Sequence, residues 1–112
     1  MVLCDLSLPD EPIVYANQAF IYMTGYTLDE IKGRNCRFLQ GPDGNVSPKS
    51  KRPHVGKEII RLMRKSLDKR VESQVVVKNF KKGGVPFNNI LTMIPITVGG
   101  RSLCIGFQCE QE

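Results

Sequence analysis

The sequence is poor in the residues and patterns that metal sites and membrane segments need. His54 is the only histidine, and no two of the four cysteines form a CxxC pair, which argues against a structural zinc site. Hydrophobic residues make up 41% of the 112 residues, but polar and charged residues interrupt their runs. The composition predicts a single domain over residues 1–112, with one core and no membrane span.

We also expect no secretory leader, because no basic segment and no cleavage site precede Asp5. We therefore expect an intracellular protein, cytoplasmic or nuclear. Cys4 and Cys104 lie in apolar runs, where free buried cysteine is the common case, and a reducing compartment agrees with free thiols rather than disulfides.

Acidic residues are outnumbered, with 16 Lys and Arg against 11 Asp and Glu and a net charge of +5. The excess is concentrated between Lys49 and Arg70. A nucleic-acid surface, a phosphate site and a solvated helix face are all compatible with such a cluster. No aromatic residue lies within this segment to stack on bases, so we expect no direct contact with nucleic acid.

Hydrophobic periodicity divides the chain into strands at both ends and helices between them. The apolar positions of 58–67 recur at helical spacing, whereas 72–80 is β-branched and is followed by a Gly-rich turn. This order predicts an α+β fold whose sheet is antiparallel and carries its helices on one face. The predicted strands are 1–6, 13–16, 72–80, 86–98 and 102–110, the predicted helices begin near Asn17, Thr27 and Glu58, and a long loop spans 40–53.

The segment Gly33–Gln40 places one cysteine in a polar, basic setting. Arg34 and Arg37 flank Cys36, and thiolate chemistry requires a positive, partly accessible environment of this kind. Asn35 and Gln40 carry amides that can hydrogen-bond to the edge of a heteroaromatic ring. The alternative for Cys36 is a small buried core residue.

This segment resembles the core motif of the LOV (light-oxygen-voltage) domains, the flavin-binding blue-light sensors of the PAS superfamily. Further strings typical of that family follow in the expected order, at 13–17, 24–26, 79–84 and 106–108, so the resemblance covers nearly the whole chain. It is strongest to the fungal photoreceptors of the Vivid and Envoy type. As in those, the loop after Gln40 is longer, by roughly ten residues, than in plant phototropins.

The resemblance implies a PAS fold with a five-stranded antiparallel sheet and a blue-light photoreceptor module rather than an enzyme. Cys36 would form a reversible, light-driven bond to flavin C4a while N5 gains a proton. Gln108 would contact N5 or O4 and rotate its amide in response, and this rotation would be the first mechanical signal. For Gln108 the alternative is an exposed polar residue on an edge strand.

The resemblance also implies the flavin-binding residues. Asn79 and Asn89 would bond the pyrimidine edge of the ring, although turn chemistry is a rival for Asn79. Loop length and charge favour FAD over FMN. The remaining predicted contacts are Asn35 and Gln40 at the ring, Arg37 with Arg61 or Arg64 as a phosphate clamp, Arg52 and Lys57 at a second phosphate, and Val2, Ile13, Met63 and Met93 as an apolar lining that limits water at N5.

Family members signal through a cap ahead of the first strand or through a flanking helix. This sequence begins at the predicted strand, so we expect the cap to be absent and the bare sheet to be able to self-associate. Expected partners are the flavin and a light-dependent second copy or another PAS protein. Alternative functions are a PAS module without photochemistry, including a flavin redox sensor, and a flavin oxidoreductase.

Overall fold

Five antiparallel strands form one sheet in the order β2-β1-β5-β4-β3. The computed structural model describes all residues, 1–112, and confirms the predicted α+β fold. The segment 34–39, which the pattern left ambiguous, is largely a 3-10 helix. The elements are β1 Val2–Asp5, β2 Ile13–Ala16, α1 Gln18–Thr24, α2 Leu28–Ile31, the 3-10 helix Cys36–Gln40, α3 Lys57–Asp68, β3 Ser73–Phe80, β4 Pro86–Val98 and β5 Arg101–Glu110.

The last strand lies beside the first. β5 pairs with β4 on one side and with β1 on the other, where Val2 opposes Gly106 and Cys4 opposes Cys104. Because strand side chains alternate between faces, Val2, Cys4, Cys104 and Gly106 share one side of the sheet. The two ends of the chain therefore build a single surface.

Local signals set the short helices. The Asn17 side chain accepts a hydrogen bond from the Phe20 amide at 3.1 Å and caps α1, which ends at Gly25 in a left-handed conformation with φ 80°. Thr27 and Glu30 form a reciprocal capping box at the start of α2. These caps orient the chain toward the 3-10 helix.

The core consists of two separate clusters. One packs the short strands against α1, α2 and the 3-10 helix around Phe20, Ile31 and Phe38. The other packs α3 against β3 through Val75 and Val77. The clusters do not merge, and residues of both line one cavity. No helix has the length and hydropathy needed to span a membrane.

Candidate functional site

A cavity of about 780 Å³ lies between the sheet, α3 and the 3-10 helix. This volume is within the range of small-molecule and cofactor sites. Every predicted site residue except Ile13 lines it: Val2, Asn35, Cys36, Arg37, Gln40, Arg52, Arg61, Met63, Arg64, Asn79, Asn89, Met93 and Gln108, with Lys57 as well.

Ile13 lies elsewhere. Its side chain is fully buried in the first core cluster, on β2 at the edge of the sheet. β2 lies outside β1 in the sheet and contributes no residue to the cavity wall. In the structure Ile13 therefore packs in the first core cluster, whereas Val2, Met63 and Met93 line the cavity. The predicted contact of Ile13 with a flavin stays a prediction.

Cys36 lies at the first position of the 3-10 helix, and the Asn35 side chain caps that helix by accepting from the Arg37 amide at 2.9 Å. The Cys36 sulfur is 3.6 Å from the sulfur of Cys4 on β1. This contact and partial burial raise the pKa of the Cys4 thiol well above its ordinary value. All four cysteines are free.

The Asn35 and Arg37 side chains hold the 3-10 helix to the loop between β1 and β2. Asn35 donates from Nδ2 to the Asp10 carbonyl oxygen at 2.7 Å. Arg37 donates from Nη1 to Asp10 Oδ1 at 2.7 Å and from Nε to the Val46 carbonyl at 2.9 Å. The hydrogen bonds from Arg37 lower the pKa of the Asp10 carboxyl. The Arg37 guanidinium is thus engaged by Asp10 and Val46 in this structure, and its predicted place in a phosphate clamp stays a prediction.

The two candidate phosphate-binding arginines of α3, Arg61 and Arg64, differ in whether a carboxylate of the protein already pairs with them. Arg64 forms a bidentate pair with Glu11, at 2.9 and 2.8 Å, and a further ion pair with Asp68. Hydrogen bonding to Glu11 raises the pKa of Arg64. Arg61 lines the cavity and forms no ion pair. Lys57 is one helical turn before Arg61, so both cations lie on one ridge.

Arg52 reaches into the cavity from the long loop. Its Nη1 donates to Gln40 Oε1 at 3.1 Å, while its Nε is buried without a partner. Burial lowers the pKa of Arg52. A buried, unpartnered N–H costs free energy unless something accepts from it. Arg52 therefore has a donor available to a ligand.

Asn79 and Asn89 form a buried amide pair on β3 and β4. Asn89 Nδ2 donates to Asn79 Oδ1 at 3.0 Å, and Asn79 Nδ2 donates to the Lys78 carbonyl at 3.0 Å. Asn79 lies within β3 rather than in the turn that follows it. Asn88 points away and is exposed, as expected from strand alternation.

Gln108 on β5 is opposite Leu91 on β4, and its Oε1 atom is buried with no hydrogen-bond partner. Gly106 lies two residues earlier on the same face. A Cβ atom there would come within 3.1 Å of Gln108 Nε2 and 3.0 Å of Val2 Cγ1. The absence of a side chain at Gly106 gives the glutamine amide its room.

Sequence reasoning assigned no site role to Cys4, Leu39, Ile60, Leu91 or Gly106, all of which line the cavity. The only local signal for Cys4 and Gly106 is the alternation of side chains between the two faces of a strand. It places the two residues on one face of the sheet only if β1 is known to pair with β5. Leu91 has the same alternation as Asn89 and Met93, which could have identified it.

The wall thus combines amides on the strands, apolar side chains and unpaired cations. A planar heteroaromatic group with an anionic tail matches this set, because the amides can pair with ring nitrogens and carbonyls and the cations with phosphates. Of the three buried side-chain atoms without a hydrogen-bond partner, two, Gln108 Oε1 and Arg52 Nε, belong to residues that line this space, and the third, Ser73 Oγ, does not. The residues present therefore fit a flavin.

Comparison with known proteins agrees with this fit. The family model of the PAS domain matches residues 1–109. The blue light receptor lreA of Aspergillus flavus is 45% identical over 111 residues, which are 97% of this chain and 13% of that protein. The chain thus spans a small part of that receptor's length.

Two solved structures of a fungal photoreceptor are also similar. The photo-excited blue-light photoreceptor Vivid superimposes with a TM-score of 0.94 at 56% identity, over 97% of this chain and 76% of that one. The light-state dimer of Vivid gives 0.93 at 53% identity, over 97% and 75%. With the α+β architecture and the cavity, these matches show that the chain belongs to the PAS family and, within it, to the LOV domains of blue-light photoreceptors.

Proposed function

We propose that this domain binds a flavin in the cavity and acts as a blue-light switch, with Cys36 as the reacting thiol. The observation that carries the proposal is that the Cys36 thiol and the unpartnered Gln108 Oε1 line one cavity in a LOV domain. When bound, flavin supplies absorption of blue light and a ring carbon, C4a, that accepts a thiol. Cys36 would supply the sulfur that bonds to C4a and the proton that N5 gains, and both would return to Cys36 in the dark.

Gln108 converts that proton transfer into movement. The Gln108 NH₂ group would donate to an unprotonated N5, and the Gln108 oxygen would accept from N5 once it carries a proton. An amide meets both needs by rotation, and Gly106 offers no side chain to obstruct it. Because β5 lies between β1 and β4, the change reaches the centre of the sheet directly.

Asn79, Asn89 and Gln40 hold the flavin ring, and Asn35 acts indirectly as the cap of the 3-10 helix. Arg61 is the better-supported phosphate contact, because Arg64 and Arg37 are paired with carboxylates. Arg52 supports the same anionic tail through its unpartnered Nε. Val2, Met63 and Met93 exclude water from the ring.

FAD is the favoured flavin. A second, polar cavity of about 240 Å³ lies within the loop after the 3-10 helix and shares Gln40 with the main cavity. FAD extends beyond FMN by an adenosine monophosphate unit, and this polar space, which begins at Gln40, the hydrogen-bond partner of Arg52, can receive it. FMN lacks this unit and would leave the second cavity unfilled.

The output is an interface whose population changes between the dark and light forms. A second copy of the domain is the expected partner, since Vivid has been crystallised as a light-state dimer. We further propose that the domain works inside the cell, in the cytoplasm or nucleus, and that it catalyses no reaction on a separate substrate.

The deciding experiment is an absorption spectrum of the purified protein in the dark, after blue light and during dark recovery. A structured oxidised-flavin band that bleaches and returns supports the proposal, and Cys36→Ala should keep the band but lose the bleaching. Cys109→Ala is the matched control, because Cys109 is exposed and does not line the cavity. A bound flavin that never bleaches in the parent protein would favour a redox or binding role instead.

A further inference from the structure

Three of the four cysteines, Cys4, Cys36 and Cys104, line the same cavity. Cys4 is the central member, since its sulfur contacts that of Cys36 at 3.6 Å and its backbone is directly opposite Cys104 in the β1–β5 register. The proposed photochemistry uses only Cys36. The Cys4 thiol therefore contacts the proposed reacting thiol of Cys36 but takes no part in the proposed photochemistry.

The separation of the two sulfurs is close to that needed for a bond. A disulfide requires about 2.05 Å between sulfurs, so they must approach by about 1.5 Å, which is within the reach of side-chain rotation. β1 holds Cys4 between β2 and β5, whereas Cys36 is the first residue of a five-residue 3-10 helix, so the small adjustment falls on that helix. Both cysteines are only partly buried, so a small oxidant can reach them.

We infer that Cys4 and Cys36 form a reversible intramolecular disulfide when the domain meets a peroxide, and that this bond withdraws Cys36 from light chemistry. The bond itself does not depend on the proposed function. Its effect on light sensing does, because that effect requires Cys36 to be the reacting thiol. The pair would make the sensor responsive to oxidants as well as to light.

The reaction balances in two steps. Hydrogen peroxide oxidises the Cys36 thiol to a sulfenic acid and is reduced to water. The Cys4 sulfur then attacks the sulfenic sulfur, and the displaced hydroxide leaves as water with the proton of Cys4. In total, two thiols and one peroxide give one disulfide and two waters. A dithiol reductant restores both thiols by exchange.

Cys4 is a slow partner in the second step. Its contact with Cys36 and its burial raise its thiol pKa, so little thiolate is present near neutral pH. Burial also raises the pKa of Cys104, to about 12. The direct sulfur contact favours Cys36 as the partner of Cys4, and slow closure suits a sustained oxidant signal more than a brief one.

Peptide mapping distinguishes the possible bonds. The protein as purified is treated with hydrogen peroxide in the dark, its remaining thiols are alkylated, and it is digested with trypsin without reduction. Cleavage places Cys4 alone in Met1–Lys32, Cys36 alone in Asn35–Arg37, and Cys104 with Cys109 in Ser102–Glu112. The expected product joins Met1–Lys32 to Asn35–Arg37 and weighs two hydrogens less than their sum, within a monomer.

Variants provide the controls. Cys4→Ser and Cys36→Ser should each abolish the linked peptide, while Cys104→Ser should leave it. A link from Met1–Lys32 to Ser102–Glu112 would overturn the inference, as would over-oxidised Cys36 beside a fully alkylated Cys4. A peptide found only in disulfide-linked dimers would overturn it as well.

The consequence for light sensing needs a second readout. Diamide takes two hydrogens from a thiol pair and becomes a hydrazine, so it closes disulfides without over-oxidation. Diamide should abolish bleaching in the parent protein in proportion to the linked peptide, and dithiothreitol should restore it. Cys4→Ser should keep bleaching after diamide, because Cys36 then has no partner.

The two readouts can refute the disulfide and the photoreceptor proposal independently of each other. Normal bleaching with no linked peptide refutes the disulfide and leaves the photoreceptor proposal intact. A linked peptide in a protein whose reduced, flavin-loaded form never bleaches refutes the photoreceptor proposal and leaves the disulfide.

Discussion

Asn89 donates a hydrogen bond to Asn79 at 3.0 Å across β4 and β3, and both side chains are at least 97% buried. Asn89 Oδ1 in turn accepts from the Cys109 amide on β5. The pair thus connects three strands at the cavity wall. Buried amides remain only where they are hydrogen-bonded, so this arrangement serves both the sheet and any ring that pairs with the amides.

Replacing Asn89 by Leu should destabilise the fold and weaken flavin binding. The change removes the partner of Asn79 Oδ1 and of the Cys109 amide, and unsatisfied buried groups cost about 1–3 kcal/mol. Urea unfolding followed by far-UV circular dichroism gives the stability, and flavin fluorescence gives the retained ligand. Asn88→Leu is the matched control on the exposed face and should change stability by less than about 0.5 kcal/mol. Equal losses in both variants would argue against a role for the buried pair.

Arg61→Gln should weaken binding of FAD without much effect on stability. Arg61 lines the cavity and has no carboxylate partner, so a phosphate is its natural counterion. Loss of one charge-assisted hydrogen bond corresponds to about 1.5–3 kcal/mol, or roughly a 10- to 150-fold weaker affinity. Titration of FAD into flavin-free protein, followed by fluorescence quenching, measures the change.

Arg64→Gln is the control for this prediction. Arg64 is half exposed and engaged with Glu11 and Asp68, so its removal should change FAD affinity much less than the removal of Arg61. The reverse order of affinities would show that Arg64 leaves its carboxylates when the ligand binds, and that the ion pairs seen here compete with the phosphate.

Gln108→Leu should separate photochemistry from signalling. Leucine fills a similar volume but cannot exchange a donor for an acceptor, so bleaching should persist while the light-dependent change in β5 is lost. Hydrogen exchange followed by mass spectrometry, in the dark and under blue light, measures that change over 101–110. Gln74→Leu is the control, because Gln74 is exposed and bonds Thr92 away from the cavity. An undiminished exchange difference in Gln108→Leu would exclude the glutamine as the switch.

Elements defined by local chemistry were predictable from the sequence. The cap at Asn17, the capping box at Thr27 and Glu30, and the apolar face of α3 depend on residues within a few positions of one another, and their bounds fall within one or two residues of expectation. The family motifs likewise identified most of the cavity wall.

Contacts between distant parts of the chain were not predictable. Pairing of β1 with β5 joins residues about a hundred positions apart, and no periodicity encodes it. The contact of Cys4 with Cys36 likewise joins residues 32 positions apart. The ion pair of Arg37 with Asp10, in a loop that precedes it by 27 positions, was likewise not visible in the sequence.

The Asp10–Arg37 pair should make stability depend on pH in the acid range. Hydrogen bonds from Arg37 lower the pKa of Asp10 below its ordinary value of 3.8. A carboxyl with a lowered folded-state pKa contributes stability that is present above its unfolded pKa and lost as pH falls through the lower, folded value. The Asp10 side chain is 50% exposed, so solvent screening keeps the contribution to at most about 1 kcal/mol.

Thermal unfolding of the parent and of Asp10→Asn at a series of pH values measures this contribution. The difference in Tm between the two proteins should be constant near neutral pH and should shrink below about pH 4. The difference shrinks because the Asp10 carboxyl of the parent becomes protonated and loses its charge at low pH. The parent then lacks the ion pair, as the Asp10→Asn variant does at every pH. A Tm difference that stays constant down to about pH 2 would show that the ion pair contributes nothing. Arg37 would then be held by the Val46 carbonyl alone.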